Sequence, residues 1–294
     1  MDRGKGPCHT YEGGFALIGK GVSHGAVTVI NAMPCGMGAT IGVTLKTSSK
    51  FENEADGKAV TISNDPSEDP VMAEICVSET YKRMRLPEPD GWSLDISSEI
   101  PISRGLKSSS SACNAIISSV LNSEGFDMDV IDRIRLGVDC ARKAGVTVTG
   151  SFDDACGCEL GGLVITDNGK DTLLYRRDIG EYDVVIHVPA EKIRKTGLPL
   201  ERLRSMSSES ERLVEMAKTD PFGAMTLNGK LIATASGIDD RVSGLAMENG
   251  ALGAGISGSG PATAIVLMSG DAKGFIERTG LDNVIITRTR RPLL

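Results

Sequence analysis

Hydrogen-bond donors suited to an anion are concentrated in Pro101-Ile-Ser-Arg-Gly105-Leu106-Lys107-Ser108-Ser109-Ser110-Ser111-Ala112. Helical spacing begins at its end: Ala112, Ile116 and Val120 form one i, i+4 row, and Cys113, Ile117 and Leu121 form a neighbouring row. The four serines therefore sit at the mouth of a helix, where the first N–H groups lack intrahelical partners and the dipole is positive. Gly105 permits close backbone approach and Lys107 adds a full charge. Four consecutive serines exceed what a cap needs, so a phosphate clamp is the chemistry this stretch suits.

A second candidate is the adjacent pair Asp153-Asp154, which follows the β-branched run Val146-Thr-Val-Thr149 and precedes Gly161-Gly162. Loop aspartates form turns, but a carboxylate beside a hydroxyl can also accept its proton. The third is Gly250-Ala-Leu-Gly-Ala-Gly-Ile-Ser-Gly-Ser-Gly-Pro261, a glycine-rich loop that leads into a strand and can press its backbone against a ligand. Cys156-Gly-Cys158 reads as packing, because no second cysteine pair or histidine cluster accompanies it as a metal site would require. Gly14-Phe-Ala-Leu-Ile-Gly19-Lys20-Gly21 nearly matches a P-loop, but Gly21 replaces the hydroxyl that holds magnesium and no hydrophobic strand precedes it.

The elements that must position these residues are read from periodicity. Leu94, Ile96, Ser98 and Ile100 alternate with polar neighbours in a strand from Trp92 that ends at Pro101, directly before the serine loop. Upstream, His24–Ala32 and Gly38–Leu45 form a hairpin about the turn 33–37, and 51–64 forms another with a polar turn. Asp69-Pro70 opens a helix over 71–86, and Asp129 caps one that ends before Gly145. Asn168-Gly169 centres a hairpin over 163–175. Beyond it come a strand at 183–189, a charged mobile stretch at 193–210, a helix at 209–218 interrupted by Pro221, and helices at 225–235 and 242–249. A strand at 262–268, a helix at 272–279 and a strand at 283–288 complete the chain.

With 294 residues, 40% of them hydrophobic, the chain can bury a sizeable core, and two domains are expected. A formal charge of -7 without a long basic run argues against nucleic acid as a partner. Seven cysteines, an odd number with several on apolar helix faces, fit reduced buried thiols and a cytosolic location. No leader pattern opens the chain, and no apolar run approaches the roughly 20 residues needed to span a bilayer, so no membrane association is expected.

Pro101-x-x-x-Gly105-Leu106-x-Ser-Ser-Ser-Ser-Ala112 resembles the phosphate-binding motif of the superfamily named after galactokinase, homoserine kinase, mevalonate kinase and phosphomevalonate kinase (GHMP). The usual form is Gly-Leu-Gly-Ser-Ser-Ala. Here Lys107 stands for the second glycine and two residues are added before the alanine, a variant that resembles the archaeal-type shikimate kinase branch, as do Asn31-Ala32, Gly36-x-Gly38-Ala39 and Gly42. Phe152-Asp153-Asp154-Ala155 resembles the family's Val-Asp-Asn-Ala, whose aspartate approaches the acceptor hydroxyl; Asp153 is thus the implied catalytic residue and Asp154 the next candidate. The glycine loop, with Gly258 and Ser259, resembles the third family motif, which packs against the phosphate loop and helps close the site.

The resemblance implies an α+β fold in two domains. Residues 1–177 would bind the ATP phosphates and look like the second domain of ribosomal protein S5, with a left-handed βαβ crossover. Residues 178–294 would be ferredoxin-like, with the site between the two. The implied activity is ATP-dependent phosphorylation of the shikimate 3-hydroxyl to shikimate 3-phosphate, on the route to aromatic amino acids in the cytoplasm. Alternatives are a homoserine, mevalonate or pantoate kinase, or a non-catalytic nucleotide or metabolite sensor. Mg2+ would be held by Ser111, with Asp139 as the nearest acid. Arg104, Arg288, Arg290 and Arg291 are candidate partners for a substrate carboxylate. Lys20 and His24 read as a surface lysine and a satisfied histidine, and a homodimer is left open.

Overall fold

The computed structural model describes residues 17–63, 65–102, 104–147, 150–189 and 199–292. Cys8, the Gly14 end of the P-loop-like segment, Val148-Thr149 and 193–198 of the charged stretch lie outside the described residues.

The first sheet contains β1 (Ile18–Ile30), β2 (Met37–Glu52), β3 (Lys58–Ile62), β4 (Trp92–Ser98), β5 (Leu163–Asp167) and β6 (Thr172–Arg177). Its order is β3-β4-β2-β5-β6, with β1 paired to β2. In β4, Trp92, Leu94 and Ile96 are buried while Ser93, Asp95 and Ser97 are not, the alternation of a strand with one covered face. Helix α2 (Ser108–Ser123) lies on β1 and β2 and is covered by α1 (Val71–Met84) and α3 (Val130–Lys143). Asp69 accepts from Val71 N–H at the head of α1, and Asp129 accepts from Ile131 and Asp132 N–H at the head of α3, as their sequence positions predict. Gly19, Lys20 and Gly21 are strand residues of β1. A Cβ on Gly21 would stand 2.0 Å from Ala115 O of α2, so this glycine serves strand-on-helix packing and no P-loop forms there.

The hairpin expected at 51–64 does not form. β3 pairs in parallel with β4, and β4 occupies the β2 edge at residues 47–52. The crossover through α1 supplies the long connection that parallel pairing needs.

The second sheet contains β7 (Tyr182–His187), β8 (Gly253–Ile256), β9 (Thr263–Met268) and β10 (Val284–Arg288), in the order β10-β7-β9-β8. Numbered within the sheet this is 4-1-3-2, all antiparallel, the ferredoxin-like arrangement. The stretch expected to be mobile at 193–210 carries, from residue 200 onward, α5 (Leu200–Arg204) and the start of α6 (Ser207–Ala217). Leu203 and Ser210 are fully buried, which anchors both helices. Pro221 interrupts nothing: it is the first residue of α7 (Pro221–Ser236), where a missing N–H costs no hydrogen bond, and Asp220 caps it through Gly223 N–H at 2.9 Å. α8 (Arg241–Glu248) and α9 (Ala272–Thr279) follow. One hydrophobic cluster joins Val27, Ile41 and Ile165 of the first sheet to Val184, Ile186 and Val266 of the second. After β10 the chain returns to the first sheet, where Arg290 N–H donates to Gly42 O at 2.8 Å.

Candidate active site

Lys107 occupies the N-cap of α2 in the left-handed region (φ 67), so Ser108, Ser109 and Ser110 form the first turn. Ser111 N–H already donates to Lys107 O at 3.0 Å, which leaves the earlier N–H groups as the anion-binding end. Ser108 and Ser109 also line a cavity of about 160 Å³ with Ile62, Met72, Ile96 and Val146. An apolar slot therefore adjoins the polar helix terminus.

The glycine loop of the second sheet docks on this terminus. Part of the expected loop is the strand β8, and 250–252 and 257–261 on either side of it remain irregular. A Cβ on Gly105 (φ +80) would lie 2.1 Å from Ser257 O, and one on Gly258 (φ +60) would lie 3.0 Å from Gly105 O and 3.2 Å from Lys107 Nζ. The two loops thus meet backbone to backbone. Ser257 Oγ donates to Gly105 O at 2.9 Å, Gly258 N–H to Thr28 Oγ1 at 2.8 Å, and Asn31 Nδ2 to Gly258 O at 2.8 Å.

Asp153 and Asp154 lie in the first turn of α4 (Phe152–Leu160), not on a loop. This helix shows no period in the sequence because all its residues except Asp154 are buried, which leaves no polar face to mark one. Its N-terminus favours carboxylates. Asp154 Oδ1 accepts from Lys107 Nζ at 2.7 Å, with the two side chains 18% and 5% exposed. Burial opposes the Lys107 charge, but Asp154 and then Asp153 outweigh it and hold the ammonium above its ordinary pKa. Lys107 is therefore a buried cation at the head of α2 that is already paired with Asp154.

Asp153 is 4% exposed. Its Oδ1 accepts from Asn168 Nδ2 at 2.7 Å, while its own N–H donates to Asn168 Oδ1 at 3.0 Å. Its carbonyl accepts from Thr40 Oγ1 at 2.9 Å. Burial and the neighbouring Asp154 charge push its pKa up to about 7, against the opposing pull of Lys107 and Asn168. Its Oδ2 lies over Gly38, where a Cβ would stand 2.2 Å away. We expect Gly38→Ala to displace the carboxylate and lower turnover roughly tenfold. Steady-state rates and melting measured together check this, and a folded variant with wild-type turnover would remove the need for that seat.

Other candidates fall elsewhere. Asp139 lies on the exposed face of α3 and accepts from Arg142 at 3.2 Å, whereas Ser111 Oγ is fully buried without a hydrogen-bond partner. These two do not fit a magnesium ion as a pair, and no metal-holding group of His, Cys, Asp and Glu occurs among the described residues. Arg104 Nη1 donates to Pro189 O at 2.6 Å. Arg288 pairs with Asp183 at 3.5 Å and Arg291 with Asp178 at 3.9 Å, while Arg290 closes the end of α4 by donating to Cys158 O and Glu159 O at 2.8 and 2.9 Å. His24 is held to a pKa of about 4, by burial first and then by Arg290 and Lys46, and so stays neutral. Burial also pushes the Cys156 and Cys158 thiols well up, as packing residues require. Asn31 was marked only as part of a motif resemblance, and Thr28, Thr40 and Asn168 were not legible as site residues. Asn168 had a signal, Asn-Gly, but it reads as a turn.

Residues 73–162 match the family described as GHMP kinases N terminal domain. Over 259 residues the chain is 40% identical to a shikimate kinase of Methanothrix thermoacetophila, covering 87% of this chain and 88% of that one. The protein belongs to the GHMP kinase superfamily. A shikimate kinase of Pyrococcus furiosus is 35% identical over 280 residues, covering 93% of this chain and 99% of that one. Among solved GHMP folds, a mevalonate kinase superposes with a TM-score of 0.75 at 16% identity, covering 95% of this chain and 100% of that one. A homoserine kinase from Cytophaga hutchinsonii superposes with a TM-score of 0.72 at 18% identity, covering 97% and 98%. The α+β class and GHMP architecture expected from the motifs are thereby borne out.

Proposed function

We propose that this protein is a shikimate kinase that transfers the γ-phosphoryl group of ATP to the 3-hydroxyl of shikimate. One observation carries the reading: a buried carboxylate, Asp153, adjoins Asp154, which pairs with Lys107 at the head of a phosphate-type helix terminus, and lies within electrostatic reach of that lysine. The shikimate kinases that the chain resembles supply the acceptor. The N–H groups of Ser108–Ser110, with the loop at Pro101, Gly105 and Leu106 before them and the α2 turn through Ser111 and Ala112 behind them, hold the phosphates, and the adjoining apolar slot takes the base. Asp153 Oδ2 accepts the hydroxyl proton. The freed oxygen pair bonds to the γ-phosphorus, and the bond to the β–γ bridging oxygen breaks with its electron pair leaving on ADP. Asp154 keeps Lys107 in place, and Lys107 compensates negative charge in a site shielded from water. Gly258 and Ser259 close the site beside Gly105.

Magnesium is required on general grounds, to neutralise charge between the transferred and leaving phosphates. No step is assigned through Ser111 and Asp139. Residues 1–177 and 178–294 form the two domains of this reading, with the β1–β6 sheet in one and the β7–β10 sheet in the other. Six free cysteines among the described residues support a reducing, cytoplasmic setting. No described helix is long and apolar enough to cross a membrane.

Coupled ADP release across shikimate, homoserine, mevalonate and pantoate tests the assignment. Shikimate should be the preferred acceptor. Preference for another of the four keeps the chemistry and replaces the substrate, and no stimulated ADP release by any would overturn the kinase reading.

A further inference from the structure

Asn168 is 1% exposed at a hairpin tip, where an asparagine ordinarily faces water. The turn does not need its side chain. Asp167 Oδ1 already accepts from Gly169 and Lys170 N–H at 3.0 and 3.2 Å, and Asn168 N–H donates to Gly36 O at 2.9 Å. The amide points inward instead, with its orientation set by Thr166 Oγ1, which donates to Asn168 Oδ1 at 2.7 Å. That same oxygen accepts from Asp153 N–H, and Nδ2 donates to Asp153 Oδ1.

We propose that Asn168 is a positioning residue: clamped by Thr166, it holds Asp153 at both backbone and carboxylate, engages Oδ1, and leaves Oδ2 over Gly38 as the oxygen that takes the substrate proton. This rests on the kinase reading and on Asp153 as its base. The geometry makes a two-point clamp, because a side-chain amide offers an acceptor and a donor side by side, which an aspartate or leucine cannot reproduce. The Asp154 backbone also hydrogen-bonds the carboxylate. Asp154 on α4 and Lys107 at the head of α2 carry charge, Cys156 is a neutral thiol within electrostatic reach, β2 presents Gly38 and Thr40, and the β5–β6 turn presents Thr166 and Asn168. The Asn168 hydrogen bond favours the ionised carboxylate, so its loss raises the pH at which the base becomes available.

Asn168→Asp and Thr166→Val test this. In Asn168→Asp the new side chain can still accept from Thr166 and from Asp153 N–H, but an acid replaces the donor to Oδ1. The acid limb of kcat should move to higher pH by about one unit or more, a roughly tenfold loss at low pH that is recovered as the pH rises, with the KM for ATP unchanged. Thr166→Val leaves Asn168 in place and should move the limb the same way by less, which keeps the test open if the aspartate variant melts below the assay temperature. Titration of the Asp153 carboxyl carbon by NMR, without any ligand, should show the same displacement and does not depend on which acceptor the enzyme uses. A limb and a carboxyl titration that both stay at the wild-type position in the folded variants would overturn the proposal. So would a loss equal at every pH, the mark of a merely structural residue. Wild type that fails on the acceptor panel while the NMR titration shifts would instead overturn the kinase assignment.

Discussion

Asp153→Asn is expected to lower turnover by about two to four orders of magnitude while ATP affinity stays within severalfold of wild type, the range that general-base help supplies. The substitution is isosteric. An amide oxygen can still meet Asn168 Nδ2, but the group over Gly38 becomes an NH₂ that cannot accept a proton. Lys107 keeps Asp154 as its partner, so the buried cation is not orphaned. In wild type, turnover should rise as the pH passes through about 7, where Asp153 loses its proton, and this limb should vanish in the variant. Stability should move the other way. The folded pKa of Asp153 lies above its unfolded value near 3.9, so the native state binds the extra proton between the two, and its stability falls as the pH rises over that window. Above about pH 7 the wild type therefore carries the full cost of a buried charge, and Asp153→Asn should melt no lower than wild type. Rates, calorimetric ATP titration and melting at pH 6 and 8 together decide this. Near-normal turnover would move the base to Asp154 or remove the step.

Lys107→Ala should destabilise the ligand-free protein by about 3 kcal/mol, the low end of what breaking a buried ion pair costs, because Asp154 keeps partial access to water. From the sequence alone the opposite is expected. A lysine at a helix N-terminus opposes the dipole, and its removal from an exposed site would be neutral or slightly stabilising. The 2.7 Å contact with Asp154 reverses that sign, since the variant leaves a carboxylate in a largely dry site beside Asp153. A double variant, Lys107→Met with Asp154→Asn, should recover most of the loss by removing both charges. Chemical denaturation of the single and double variants checks both statements. An unchanged single variant would mean that the pair contributes nothing net, and failure of the double variant to recover would assign the loss to packing of the lysine stem.

Local pattern determined a large part of this protein. β4 and α2 were legible because each has one covered face, so that the period of two in Trp92, Leu94 and Ile96 and the rows from Ala112 to Val120 stand out in the chain. Asp129 and the Asp69-Pro70 step marked two helix starts because capping is chemistry between near neighbours. The serine loop and Phe152-Asp-Asp-Ala155 were legible as motifs because each places its reactive groups within a few residues.

Tertiary structure alone decided which groups meet. Whether β3 pairs with β2 or β4 depends on which edge is free once residues 34 positions later arrive, and period-two alternation is the same for either partner. α4 is buried on every side except at Asp154 and so leaves no amphipathic trace, yet it carries the candidate base. Asn168 reads as a turn former, because nothing within its own hairpin reveals that Thr166 turns its amide toward a carboxylate fifteen residues earlier. The Lys107 ammonium is buried where Asp154 and the loop at Gly258 close over it from distant parts of the chain. Residue type and spacing thus set what chemistry was available, whereas long-range burial set the pKa of Asp153 and the partner of Lys107.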